Sequence, residues 1–331
     1  MELRLFGRTG LQLSVLGFGC GAVGGLMVRG DPLDQERTVA RAIDAGVNYF
    51  DTAVQYGNGE SEKNLGRVLQ RLKPANVAIG TKVRLPSGDF GRIAGAVAKS
   101  LEGSLARLRL DRIDIFHLHN AITATGGGEA LSVRQVLGEV VPAFEQLRQQ
   151  GKTRFLGLTA IGDTAALHQV IDARVFDSAQ VVYNMLNPSA AAALPANYPA
   201  QDYGRLVDRT RAAGVGVVGI RVLAGGALSG SAERHPIASP PPEPIGSAMS
   251  YDADIVRARR LMPLVKEGFA SLPEAATRFA LSHPAMGTIL VGMATPQQFE
   301  DALAAVQKGS LPPAALERLS ALQQAFAGEA R

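Results

Sequence analysis

The sequence predicts a single α/β domain over residues 1–331, a (β/α)8 TIM barrel with an N-terminal β-hairpin closing the barrel floor. Three observations predict it. Eight short apolar runs alternate with longer segments of helical period. The runs are mostly continuous rather than alternating, as in parallel strands covered on both faces. No break in composition divides the chain, which argues against the alternative of a doubly wound open sheet with a second domain.

The candidate strands are Val15–Phe18, Asn48–Asp51, Val77–Thr81, Ile113–Leu118, Phe155–Thr159, Ala179–Tyr183, Gly216–Arg221 and Thr288–Val291. Apolar spacings of three and four mark helices through Leu65, Val68, Leu69 and Leu72, and through Ile93, Val97, Leu101, Leu105 and Leu108. Further stripes run from Val136 to Leu147 and through Phe299, Leu303 and Val306. Pro142 should kink or divide the first of these, because it lacks an N–H and clashes with the preceding turn. Gly7-Arg8-Thr9-Gly10, between two apolar runs, reads as the hairpin turn. Two long loops follow strands four and seven, at 120–128 and 229–250. Both lie on the side where barrels of this type keep their sites.

Composition excludes several classes. Lys and Arg number 34 against 30 Asp and Glu, a net charge of +4 with no basic block, so nucleic acid is not an expected partner. The single cysteine, Cys20, rules out an internal disulfide framework. No run reaches the ~18 apolar residues of a membrane span, and the first residues lack a signal-like apolar stretch. A cytoplasmic protein that spans no membrane is the expectation.

Gly19-Cys20-Gly21-Ala22-Val23-Gly24 matches a dinucleotide fingerprint literally. That motif needs a helix opening at the glycines, whereas Gly25–Gly30 reads as further loop and the first helix starts after Asp31-Pro32. A flexible loop over the barrel mouth is the better account. His117 and His119 share one face of strand four, but nothing completes a ligand set, so no metal is expected. His117 reads as a hydrogen-bonded core histidine and His119 as a residue of the mouth. Asp51, Tyr56, Lys82 and His119 all fall at strand ends or in the loops just beyond them, on one rim.

With Phe50-Asp51-Thr52-Ala53-Val54-Gln55-Tyr56-Gly57-Asn58-Gly59-Glu60-Ser61-Glu62, Thr81-Lys82 and Leu110–Asp114 leading to Leu118-His119, the chain resembles the aldo-keto reductase superfamily. The glycine-punctuated opening Leu5–Leu11 and Leu16–Gly19 matches it too, and the resemblance runs from about residue 3 to about residue 306. It implies a catalytic tetrad of Asp51, Tyr56, Lys82 and His119 for interconverting a carbonyl and an alcohol. Physical chemistry supports those roles. A free tyrosine has a pKa of about 10, and lowering it by ~3 units takes roughly 4 kcal/mol. One ammonium at ~4 Å supplies about that much at an effective dielectric near 20. Lys82 would act so while charged, with Asp51 keeping it protonated, and His119 would polarise the carbonyl.

The resemblance also implies NADP(H) or NAD(H) across the mouth, with NADP(H) preferred. Thr159 and Gln180 match positions holding the carboxamide, and Leu223, Gly225 and Ser229 lie in the matching pyrophosphate turn. Gly292, Thr295 and Gln298 match the adenosine-phosphate end, where a helix N-terminus favours an anion. There are departures. Ala160 stands where the family often has Asn, and Ile220 where an aromatic usually stacks on nicotinamide. Arg221 follows it, a candidate diphosphate contact or else a rim salt bridge. Residues 279–307 hold no Lys or Arg for a 2′-phosphate. The expected substrate is a small aldehyde, ketone or sugar. An NAD-dependent sugar 1-dehydrogenase, or a non-catalytic nucleotide sensor similar to channel β-subunits, are the alternatives.

Overall fold

The computed structural model describes residues 1–266 and 268–329. Its strands are β1 (Leu3–Leu5), β2 (Gln12–Ser14), β3 (Leu16–Gly19), β4 (Tyr49–Asp51), β5 (Ala78–Val83), β6 (Ile113–Leu118), β7 (Ile122–Thr123), β8 (Leu131–Ser132), β9 (Thr153–Thr159), β10 (Ser178–Val182), β11 (Gly216–Ile220) and β12 (Met286–Gly292). Eight of them close a parallel barrel in the order β3-β4-β5-β6-β9-β10-β11-β12, with β12 pairing back onto β3. These are the eight expected strands, displaced by at most a few residues. Helices between them bury apolar stripes on the barrel's outer face, as in Glu60–Leu72 and Ile93–Leu108.

The hairpin β1-β2 closes the floor. Phe6, at its turn, is fully buried with Leu13, Tyr49, Ala78, Ile115 and Val218 inside the barrel. A Cβ at Gly216 or Gly287 would come within 2.7 or 2.6 Å of the Phe6 ring, so glycine at both strand starts makes its slot.

Pro142 divides its helix as expected. A π-helical turn, Val136–Val140, precedes Val141–Gln149, and the wider turn places the proline in a first turn where no N–H is needed. Gly25–Gly30 corrects the sequence reading, because Leu26–Arg29 forms one helical turn before the Asp31-capped helix Pro32–Asp44. The glycines there serve close approach. Leu26 N donates to Met293 O at 3.0 Å, and a Cβ on Gly24 would run into the Met293 backbone.

The loop after β6 is pinned by the β7-β8 pair and by Asn120, which bonds Leu85 N, Leu85 O and Glu129 O at 2.7–2.8 Å. The loop after β11 crosses the mouth to the loop after β3, where Ser239 N donates to Val23 O at 3.0 Å. A third excursion, 183–205 after β10, was not anticipated. Asn187 organises it, its Nδ2 donating to Gln201 O at 2.9 Å and Gly246 O at 2.6 Å. No helix among the described residues is long and apolar enough to cross a membrane.

Candidate active site

Asp51 is the last residue of β4, Lys82 lies near the end of β5, and His119 follows β6. Tyr56 comes from the turn after β4, which is tied down locally. Ser61 Oγ donates to Cys20 O at 2.8 Å and shares a 2.8 Å bond with Thr52 Oγ1. Gly57 and Gly59 take left-handed backbone there, with φ of 64° and 91°, letting the turn close onto helix Glu60–Leu72. Glu62, fully buried, accepts Thr81 Oγ1 and Arg107 Nε, each at 2.6 Å, and fastens the residue preceding Lys82.

Lys82 is buried with its ammonium on three oxygens. It pairs with Asp51 Oδ1, donates to Thr52 O at 2.8 Å, and lies 3.2 Å from Tyr56 Oη. Asp51 Oδ2 accepts Tyr49 Oη at 3.0 Å and Gln180 Nε2 at 2.6 Å. The Tyr56 and His119 rings meet edge to face with centroids 6.1 Å apart. His119 Nδ1 lies 3.5 Å from Gln55 Oε1, and its Nε2 has no hydrogen-bond partner among the described residues.

The electrostatics follow from burial and from this pairing. Burial works against the Lys82 ammonium, but Asp51 and Tyr56 more than compensate, so its pKa rises and it stays charged. Burial pushes the Asp51 carboxyl up, against the opposing pull of Lys82, Tyr49 and Gln180. His119 is lowered to about 3 by burial and then by Lys82 and Arg84, so its imidazole is neutral. Tyr56 corrects the sequence expectation. Its pKa is raised, because burial of the phenolate, helped by Asp51, outweighs the pull of Lys82. Asp51 beside Lys82 makes the pair nearly neutral overall, which weakens the field that was to lower Tyr56.

Further round the rim, Thr159 Oγ1 donates to Gln180 Oε1 at 3.3 Å. Leu223 opens a tight turn, with Gly225 and Gly226 at φ of 70° and 109°. Ser229 is exposed and bonds Ser231 O at 3.3 Å. Gly292 ends β12 exposed. Thr295 and Gln298 are occupied at the start of helix Pro296–Gln307, accepting Gln298 N at 3.2 Å and Ala294 N at 2.7 Å. The Arg221 guanidinium donates to Glu243 O at 3.4 Å, and among the described residues the expected alternative of a rim salt bridge is not formed.

Sequence reasoning missed Arg234 and Tyr49. Arg234 donates to Gly225 O at 2.9 Å and Ser239 O at 2.8 Å from within an irregular loop, where no periodic signal could have found it. Among the described residues neither Arg221 nor Arg234 has an ion-pairing carboxylate. Tyr49 was legible, since it stands two residues before Asp51 on one strand and shares its face. Two guanidiniums without carboxylates among the described residues, a glycine turn and the buried Thr159 and Gln180 side chains on one rim fit a dinucleotide.

A closed parallel barrel thus carries a buried Asp51–Lys82 pair, with Tyr56 and His119 beside it, at the strand ends where such barrels keep their active sites. The chain belongs to the aldo/keto reductase family, whose model matches residues 15–324. It is 31% identical to L-galactose dehydrogenase of Arabidopsis thaliana over 92% of this chain and 88% of that one. It is 27% identical to pyridoxal 4-dehydrogenase of Microbacterium luteolum over 90% of each. In fold it resembles the holo form of aldo-keto reductase AKR11C1 from Bacillus halodurans, with TM-score 0.71, 24% identity, and coverage of 100% and 98%. The protein is therefore an NAD(P)-dependent enzyme that interconverts carbonyl and alcohol groups of small molecules.

Proposed function

We propose that Asp51, Tyr56, Lys82 and His119 carry this reaction within a single barrel domain, with Tyr56 as proton donor to the reduced carbonyl. The observation that supports it most is the Lys82 ammonium held between Asp51 and Tyr56 Oη, 3.2 Å from the latter. Because Lys82 donates to Tyr56 Oη, the phenol's own proton is directed elsewhere, toward the mouth. A raised pKa keeps that proton on Tyr56 near neutrality, ready for an alkoxide, which is far more basic. Neutral His119 offers Nε2 to the substrate oxygen and orients it. The nicotinamide, when bound, supplies or accepts the hydride.

Thr159 and Gln180 would hold the carboxamide, and Arg221, Leu223, Gly225 and Ser229 the diphosphate. Gly292, Thr295 and Gln298 would line the adenosine end, chiefly through backbone, since the Thr295 and Gln298 side chains serve the helix start. NADP(H) is the first choice, with NAD(H) also accepted. Without a cation in 279–307, discrimination should stay within roughly one to two orders of magnitude, the scale of one charged hydrogen bond. The single cysteine supports a cytoplasmic location.

A second reading, an NAD-dependent sugar 1-dehydrogenase, draws on that missing cation and on the name of the Arabidopsis relative. Fluorescence titration with NADPH and NADH, followed by aldehydes, ketones and free sugars assayed in both directions, tests the two together. Carbonyl reduction with comparable affinities supports the first reading, and oxidation of free sugars with NAD alone supports the second. A thousandfold preference for NADPH would contradict both. Tight cofactor binding without multiple turnover on any substrate would count against catalysis altogether.

A further inference from the structure

Tyr49 has no place in the tetrad, yet its position is a built one. The side chain is fully buried in the barrel, its ring among Phe6, Leu13, Ala78, Ile115 and Val218. Its hydroxyl is the polar tip of an apolar plug and donates to Asp51 Oδ2 at 3.0 Å. The neighbouring strands leave room for that tip. Gly80 pairs with Asp51 and Ala78 with Tyr49 across β4-β5, and a Cβ at Gly80 would run into the Tyr49 hydroxyl. On the other side, a Cβ at Gly17 would stand 3.1 Å from the Tyr49 ring. Small residues on both flanking strands thus shape a slot for a phenol, where a phenylalanine would fill the same ring volume.

We infer that Tyr49 is a positioning residue for the reaction: its hydroxyl, together with the Gln180 amide, fixes Asp51 Oδ2 so that Oδ1 is kept ionised and aimed at Lys82. The inference rests on the assignment of Asp51, Lys82 and Tyr56 to the reaction. Asp51 is buried, and a buried carboxylate keeps its charge only with its lone pairs satisfied. Oδ1 has Lys82, and Oδ2 has the Tyr49 and Gln180 donors. The other titratable groups facing the cluster do not substitute for them. Cys20, just beyond β3, is a buried thiol pushed up by burial and therefore neutral. His117 on β6 and His119 beyond it are held neutral, and Tyr56 stays protonated. Arg221 acts on Tyr56 from the far side of the mouth.

The test is the pH dependence of kcat and KM for Tyr49→Phe against wild type, across about pH 5 to 9. Loss of one donor to the carboxylate should move the acid limb of kcat up by about one pH unit, with KM and melting temperature little changed. A second protein carries 3-fluorotyrosine at position 49, a stronger donor of nearly the same shape, and should move the limb the other way. A Tyr49→Phe profile superimposed on wild type would overturn the inference. If Tyr49→Phe does not fold, an unmoved limb in the fluorinated protein overturns it alone. Failure of the underlying assignment reads differently, as turnover that survives Tyr56→Phe.

Discussion

His119 and Lys82 show how charge is apportioned at the scale of single residues. Burial disfavours the charged form of both, but Lys82 meets the Asp51 carboxylate and stays charged, while His119 is held neutral by burial and then by the Lys82 and Arg84 cations. For His119 the consequence for stability has a definite sign. The unfolded chain takes up a proton near the ordinary value of 6.5, whereas the folded protein does not until about 3. Between those values the unfolded state binds more protons, so this contribution is complete above about pH 6.5 and is lost progressively as pH falls toward about 3. His119→Gln should therefore flatten the acid decline in melting temperature, which calorimetry over that range would detect. A decline as steep as in wild type would mean that His119 titrates as in the unfolded chain. The pH profile of turnover should likewise show no limb from His119 near neutrality.

Among the elements, the hairpin floor and the mouth loops behave differently because different forces place them. Phe6 fills the bottom of the barrel against Gly216 and Gly287. Phe6→Ala should cost roughly 3–5 kcal/mol of stability by leaving a cavity. Denaturant unfolding checks this, and a loss under about 1 kcal/mol would contradict it. All eight barrel strands were legible, because parallel strands buried on both faces must be continuous apolar runs. The Pro142 break was legible from a missing N–H. The 183–205 excursion was not, since Asn184, Asn187 and Ser189 hold it by side-chain bonds to backbone that leave no period in the sequence. The convergence of the four residues was legible, because Asp51, Lys82 and His119 fall at strand ends and Tyr56 in the loop just beyond one. The raised Tyr56 pKa was not, because it depends on how deeply the assembled barrel buries the phenol and on the charge of Asp51 cancelling that of Lys82.

At the scale of the whole molecule, two loops distant in sequence meet over one mouth, and Arg234 joins them by bonding Gly225 O and, at 3.4 Å, Val23 O. Arg221 stands beneath, without a carboxylate among the described residues. Arg221→Ala should weaken cofactor binding by roughly tenfold to a hundredfold, the worth of one charged hydrogen bond, and leave the melting of the cofactor-free protein little changed. Unchanged affinity with lost stability, measured by titration and calorimetry, would assign it to the scaffold instead. In the proposed mechanism turnover is the property of the complete rim and rests on one hydroxyl, that of Tyr56. Lys82→Met tests this less cleanly, because it leaves the buried Asp51 carboxylate uncompensated and should cost about 3–5 kcal/mol of stability as well. Tyr56→Phe keeps the ring and removes only the transferable proton. The most direct measurement is therefore steady-state carbonyl reduction by Tyr56→Phe at saturating cofactor, with cofactor affinity titrated on the same preparation. A fall in kcat of about 10²–10⁴-fold at unchanged cofactor affinity is the predicted result, and near-wild-type reduction by the folded variant would contradict the assignment of Tyr56 as proton donor.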